Sequence, residues 1–358
     1  MEAHAALAPN ARTKNLLKKK SSRPTTPLSH QNDNLGFKVL SNPLTAGIDV
    51  CFVHGLTGDR YSTWACEDAN PDEQYWPLLL ASEFPQARVL TYGYNADVVR
   101  IFETTNGNGL RNYAQSMLLE LDCERHSDRK RPLVFVAHSL GGLLVEEMLV
   151  DSLEPNEERF RLIAESTCGI MFFGTPHRGS ALATWGLSML KILRLFQHVN
   201  DRIVSVLQQH SDVLRSVEDR FQKELIHAEG RLKNIRITCF YEAVPMPNLG
   251  YIVPEDSATL AGYTNQSLDA DHRDMTKFRY GVDDPGFKKV KGQLLDCIER
   301  EKAIKTAEHS KKQQADPRIE QSPSAYPSMA ANSQFNVSHN TGHVGHNITP
   351  GPMNNTYR

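Results

Sequence analysis

Val134-Phe135-Val136-Ala137-His138-Ser139-Leu140-Gly141-Gly142 is the stretch from which the fold can be read. A run of apolar and β-branched residues ends in a serine among small residues. Leu143, Leu144, Val145, Met148 and Leu149 then recur at helical spacing. A strand that stops at a serine and continues as a helix is the pattern of a nucleophile elbow. The turn is sharp, the serine is strained, and its hydroxyl stands at the top of a sheet. Small neighbours are needed because strand and helix backbones approach closely there. Ala137 stands where glycine is commoner. A strand-to-helix junction with an incidental serine would spell the same letters, so the surrounding chain has to carry the reading.

Outward from the elbow, strand-like runs alternate with helical ones. Ile48–Val53, Ala87–Tyr92, Gly169–Gly174 and Ile235–Tyr241 read as strands. A helix begins at Leu110, with Tyr113, Ala114, Met117, Leu118 and Leu121 on one face, and a last helix covers about Pro285 to Glu299. This alternation predicts an α/β domain with a mostly parallel central sheet and helices on both faces. The domain spans residues 38–300. Residues 1–37, with Lys18-Lys19-Lys20 and little periodicity, read as a basic disordered arm, and 301–358 as a polar low-complexity tail.

Bulk properties fit a soluble cytoplasmic enzyme. The chain has 358 residues, a net charge of −2 and 40% hydrophobic residues, which leaves material for a core and no global pull toward nucleic acid. Six cysteines are scattered singly, as buried reduced thiols are. No apolar run reaches the ~20 residues of a membrane span, and the first residues lack a signal-peptide core. His339, His343 and His346 sit in a polar segment without cysteine partners, so no metal site is expected. No glycine-rich phosphate loop is present, and no cofactor is expected.

The strands end in polar residues, as an active site beyond their carboxyl ends requires. Strand 48–53 runs into His54-Gly55-Leu56-Thr57-Gly58, so the backbone N–H groups of Leu56 and Leu140 are the expected oxyanion donors. His54 and His138 read as shapers of loop and pocket. The chain order serine, acid, histidine belongs to this fold. Glu242 directly follows a strand and is the expected acid, with Asp256, in a loop, as the alternative. His272 is the only histidine between His227 and His309 and is the expected base for Ser139.

Phe52-Val53-His54-Gly55-Leu56, Ala137 to Gly142, Phe173-Gly174-Thr175-Pro176-His177-Arg178-Gly179-Ser180, and Val253-Pro254 to His272 together resemble the α/β-hydrolase superfamily. More narrowly they resemble the serine esterases of the SesB-like group, which stand alone or head fungal NOD-like receptor proteins. The resemblance implies carboxylic-ester chemistry, on lipid among other substrates, and a role in fungal incompatibility cell death. It implies that Thr175 and His177 line the site. Residues 185–232, opening with the apolar run Trp185 to Phe196, read as a lid that contacts lipid at a membrane surface, or as a helix packed on the sheet edge. The competing reading is a catalytically idle scaffold that signals through its tail. From Gln321 to Tyr357 there is no charged residue, and 330–352 resembles the short amyloid signalling motifs that pair with a receptor's matching segment or self-assemble.

Overall fold

The computed structural model describes residues 34–70, 72–96, 109–154, 157–177, 187–188, 190–192, 194–195, 216–226 and 230–315. The expectations for the basic arm, for most of the lid segment and for the 330–352 motif lie outside the described residues. Contacts divide the chain into Met1–Ala307 and Glu308–Arg358, and the described part of the second unit is helical.

Among the described residues seven strands form one sheet: β1 (Gly36–Ser41), β2 (Ile48–Val53), β3 (Ala87–Gly93), β4 (Leu133–His138), β5 (Thr167–Phe173), β6 (Arg236–Glu242) and β7 (Thr264–Leu268), in the order β1-β3-β2-β4-β5-β6-β7. β1 runs antiparallel to β3, and every other pairing is parallel. Among the described residues the named helices are α1 (Trp76–Glu83), α2 (Gly109–Glu124), α3 (Leu140–Leu153), α4 (Glu158–Ser166), the short α5 (Glu255–Ala258) and α6 (Pro285–Ala315), and residues 216–226 are helical as well.

The inner strands are mainly apolar because both faces are covered, and the buried Asp49 of β2 is held in ion pairs with Arg125 and Arg131. Val50, Phe52, Val134 and Val136 enter a layer with Trp64, Trp76 and Phe287. Cys51, Val53, Phe135 and Ala137 enter the opposite layer with Leu143, Leu144 and Met148. The elbow helix α3 is buried along its whole length. All six cysteines are free, and Cys123 is exposed whereas Cys51, Cys66, Cys239 and Cys297 are buried.

Two boundaries differ from expectation. The sheet begins at Gly36, and α6 continues to Ala315, past Glu299 and past the expected domain end at 300. The added turns are Glu-, Lys- and Ala-rich, and such residues extend a helix at little cost.

Strand order places the site. β2 lies between β3 and β4, so the winding reverses there, and a crevice opens beyond the carboxyl ends of β2 and β4. Val53 pairs with Ala137, His138 with Phe173, and Phe173 with Phe240. The loops that follow these residues therefore converge around Ser139.

Candidate active site

Ser139 joins β4 to α3 at φ 51 and ψ −124, a conformation that L-residues avoid. Its N–H donates to Phe173 O at 2.8 Å and its carbonyl accepts from Gly142 N–H at 3.0 Å, which over-determines the strained turn. The local crowding explains the small residues. A Cβ on Gly141 would overlap the carbonyl oxygen of His54, and one on Gly142 would overlap the Thr175 side chain.

His272 comes from the loop after β7, and its Nε2 lies 3.1 Å from Ser139 Oγ. Its Nδ1 faces Glu242 Oε1 at 3.5 Å, long for a hydrogen bond. The same Oε1 accepts Val253 N–H at 2.6 Å, which fixes the carboxylate at the end of β6. All three side chains are buried. Asp256, the alternative acid, is exposed on α5. Ser139, His272 and Glu242 are thus brought together.

The loop carrying Leu56 packs directly on the nucleophile. A Cβ on Gly55 would lie 2.9 Å from Ser139 Cβ and 2.9 Å from His138 O. His54 holds this loop rather than facing substrate. Its Nδ1 donates to Gly55 O at 2.9 Å, and its Nε2 accepts Tyr94 N–H at 3.2 Å. Its ring stacks on Tyr94 with centroids 4.5 Å apart. Burial pushes its pKa down to about 4, so the imidazole is neutral and the tautomer is set by these partners.

His138 is also buried, its Nε2 donating to His272 O at 3.0 Å and thereby anchoring the backbone of His272. Burial, with His272 adjacent, holds its pKa near 3. It lines a cavity of about 310 Å³ together with Leu56, Gly58, Arg273 and Lys277. Arg273 and Lys277 carried no motif in the sequence, but their positions just after His272 were a usable signal. Arg273 Nη2 donates to Leu195 O at 2.7 Å, linking the loop after β7 to the 185–232 segment.

The two residues expected to line the site from the loop after β5 are both buried. Thr175 is buried against Gly142, and His177 is buried with Nδ1 3.0 Å from Glu146 Oε1 and Nε2 3.9 Å from Cys239 Sγ. Both ring nitrogens of His177 therefore face protein groups and not the cleft. Burial opposes charge on this imidazole, but Cys239 and the Glu146 carboxylate outweigh it and raise the pKa to about 10. Glu146 was not picked out from the sequence. Its signal was a carboxylate inside the otherwise apolar run of α3, since buried carboxylates need a partner. Among the described residues no group of His, Cys, Asp or Glu fits a metal ion, and no helix is long and apolar enough to cross a membrane.

Strand order, strained serine and its histidine partner together define an α/β-hydrolase fold. No family model matches the chain. It is 29% identical to the protein SERAC1 of Bos taurus over 257 residues, covering 66% of this chain and 37% of that protein. It is 30% identical to SERAC1 of Danio rerio over 250 residues, covering 64% of this chain and 36% of that protein. The chain thus spans little more than a third of the curated relatives it matches. Among solved structures, mature lipase BlEst2 of Bacillus licheniformis aligns at 18% identity and a TM-score of 0.43, covering 67% of this chain and 92% of its own. A carboxyl esterase from Bacillus coagulans aligns at 14% identity and a TM-score of 0.39, covering 74% of this chain and 99% of its own.

Proposed function

We propose that this chain is a serine hydrolase of carboxylic esters that works through an acyl-enzyme. The observation that carries the reading is the 3.1 Å approach of His272 Nε2 to the hydroxyl of a serine strained to φ 51. Ser139 Oγ attacks the ester carbonyl carbon while His272 Nε2 takes its proton. The C–O bond to the leaving alcohol then breaks, and the imidazolium returns the proton to that oxygen. Water repeats the sequence and releases the acid. Glu242 orients the imidazole and stabilises its charge. The N–H groups of Leu56 and Leu140 receive the oxyanion, each worth about 100- to 1000-fold in turnover. The chemistry calls for no cofactor.

Lipid esters are the finer proposal. It is supported by the apolar run Trp185 to Phe196, whose Leu187 is exposed. Deleting 187–196 is expected to impair long-chain esters more than short soluble ones, because the run supplies apolar binding area. Equal loss on both would remove lipid from the proposal. A cytoplasmic, membrane-peripheral role in NOD-like-receptor-linked cell death, with assembly through 330–352, rests on the SesB-like resemblance. A peptide of that segment that stays monomeric would remove its main support.

The 3.5 Å separation between His272 and Glu242 favours a second reading, an idle scaffold that signals without turnover. Hydrolysis of p-nitrophenyl esters by the purified chain separates the two. Ser139→Ala and His272→Ala are each expected to lose about 10⁴- to 10⁶-fold with the fold intact. Retention of more than a tenth of the activity by either variant overturns the triad.

A further inference from the structure

α3 carries Glu146 two turns beyond the elbow, with its carboxylate fully buried. A buried carboxylate is costly unless paired, and its partner here is His177, itself fully buried. The pair lies outside the Ser139, His272 and Glu242 line of contacts. What it holds in place is the loop that leaves β5. The His177 main chain is clamped as firmly as its ring: its N–H donates to Ser257 O at 2.6 Å, and its carbonyl accepts Ser257 Oγ at 3.2 Å. The ring also stands edge-on to Phe172, with centroids 4.6 Å apart.

The other end of this loop touches the candidate base. Gly174 adopts φ +55, donates its N–H to Phe240 O at 2.8 Å, and packs against the His272 imidazole. A Cβ on Gly174 would come within 2.9 Å of both Cε1 and Nδ1 of that ring. Next in the chain, Thr175 seats its side chain against Gly142 of the elbow helix. The imidazole therefore has the Gly174 backbone as one wall and the His138 ring, 5.1 Å away between centroids, as another. Because its contact with Glu242 is long, these walls carry much of the work of orienting it.

From this we infer that Glu146 and His177 form a positioning pair, tying the Gly174–Thr175 loop to the elbow helix so that His272 stays aimed at Ser139. The inference rests on the esterase reading above and deepens it. Neither residue touches the reacting atoms. Their effect is exerted through the wall they hold, and a misplacement of about 1 Å in a catalytic group can slow turnover about 100-fold.

The test is ester hydrolysis by wild type, His177→Leu, His177→Gln and Glu146→Gln, with a melting curve for each. His177→Leu is expected to lower kcat about 10- to 100-fold while KM stays within about twofold, because the loss is in aim and not in binding. The pH profile of kcat/KM is also expected to change. His177→Gln, which keeps a donor toward Glu146, is expected to recover most of kcat. Unchanged kcat and pH profile in folded His177→Leu and Glu146→Gln overturn the inference. So does a collapse in melting temperature with normal kcat in the surviving folded fraction, which makes the pair structural only. If wild type itself turns over no ester and no reagent labels Ser139, the esterase reading fails first and the inference falls with it.

Discussion

Replacing Glu242 by glutamine isolates the charge of the acid from its shape. In the structure one oxygen, Oε1, accepts Val253 N–H and also faces His272 Nδ1 at 3.5 Å. A glutamine that leaves its carbonyl oxygen on Val253 N–H keeps that oxygen toward Nδ1–H, so the imidazole tautomer survives. Lost is the attraction between carboxylate and imidazolium in the transition state. At 3.5 Å and an effective dielectric of about 20 this is about 5 kcal/mol. At 1.36 kcal/mol per tenfold it amounts to three to four powers of ten in kcat. The melting temperature is expected to change little, since the Val253 hydrogen bond is retained. Steady-state hydrolysis of a short p-nitrophenyl ester, with thermal melts alongside, reads both quantities. Asp256→Asn, altering an exposed side chain on α5, is expected to stay near wild type. If Glu242→Gln keeps kcat within tenfold of wild type, or if Asp256→Asn loses more, the reasoning is refuted and the acid moves to Asp256.

Stability should decline on both sides of neutrality, for separate reasons. His54 and His138 have folded pKa values near 4 and 3, below the unfolded 6.5, so only the unfolded chain takes up their protons as pH falls from 6.5, and each costs about 1.4 kcal/mol per unit. His177, raised to about 10, holds a proton that the unfolded chain has lost above 6.5, so its contribution is present below that value and declines toward 10. Melting curves across pH are expected to show both slopes, with the alkaline one flattened in His177→Gln; an alkaline slope unchanged in that variant would assign it elsewhere. Gly55→Ala is expected to cut turnover sharply, because its Cβ would stand 2.9 Å from the His138 carbonyl oxygen, a backbone atom that yields poorly. Wild-type kinetics in that variant would contradict the packing described for the Leu56 loop.

The parts of the fold legible in the sequence were those buried on both faces. β2, β3, β4 and β5 are mainly apolar because two layers of side chains cover them, with Asp49 of β2 and Arg88 of β3 as buried charged exceptions. β1 (GFKVLS) and β7 (TNQSL) passed unnoticed because they are the edges of the sheet. Each has a single partner strand and residues open to solvent; β7 is polar, and in β1 the alternation is confined to Phe37-Lys38-Val39, too short to read as a strand. In the site, Ser139 was legible from the change of period around it, and His272 and Glu242 from their order along the chain. His177 was seen, but its motif gave no clue that the ring turns inward. Only the pairing with Glu146, from a distant helix, explains that orientation, and such a partner is set by tertiary contact and not by local spacing.

The central claim is that Ser139 is an activated nucleophile. The most direct measurement is the intact mass and peptide map of the folded chain after brief exposure to a fluorophosphonate. One adduct is expected, on Ser139, absent in Ser139→Ala and strongly slowed in His272→Ala. A folded wild-type chain that takes no adduct, or takes it on another residue, would contradict the account.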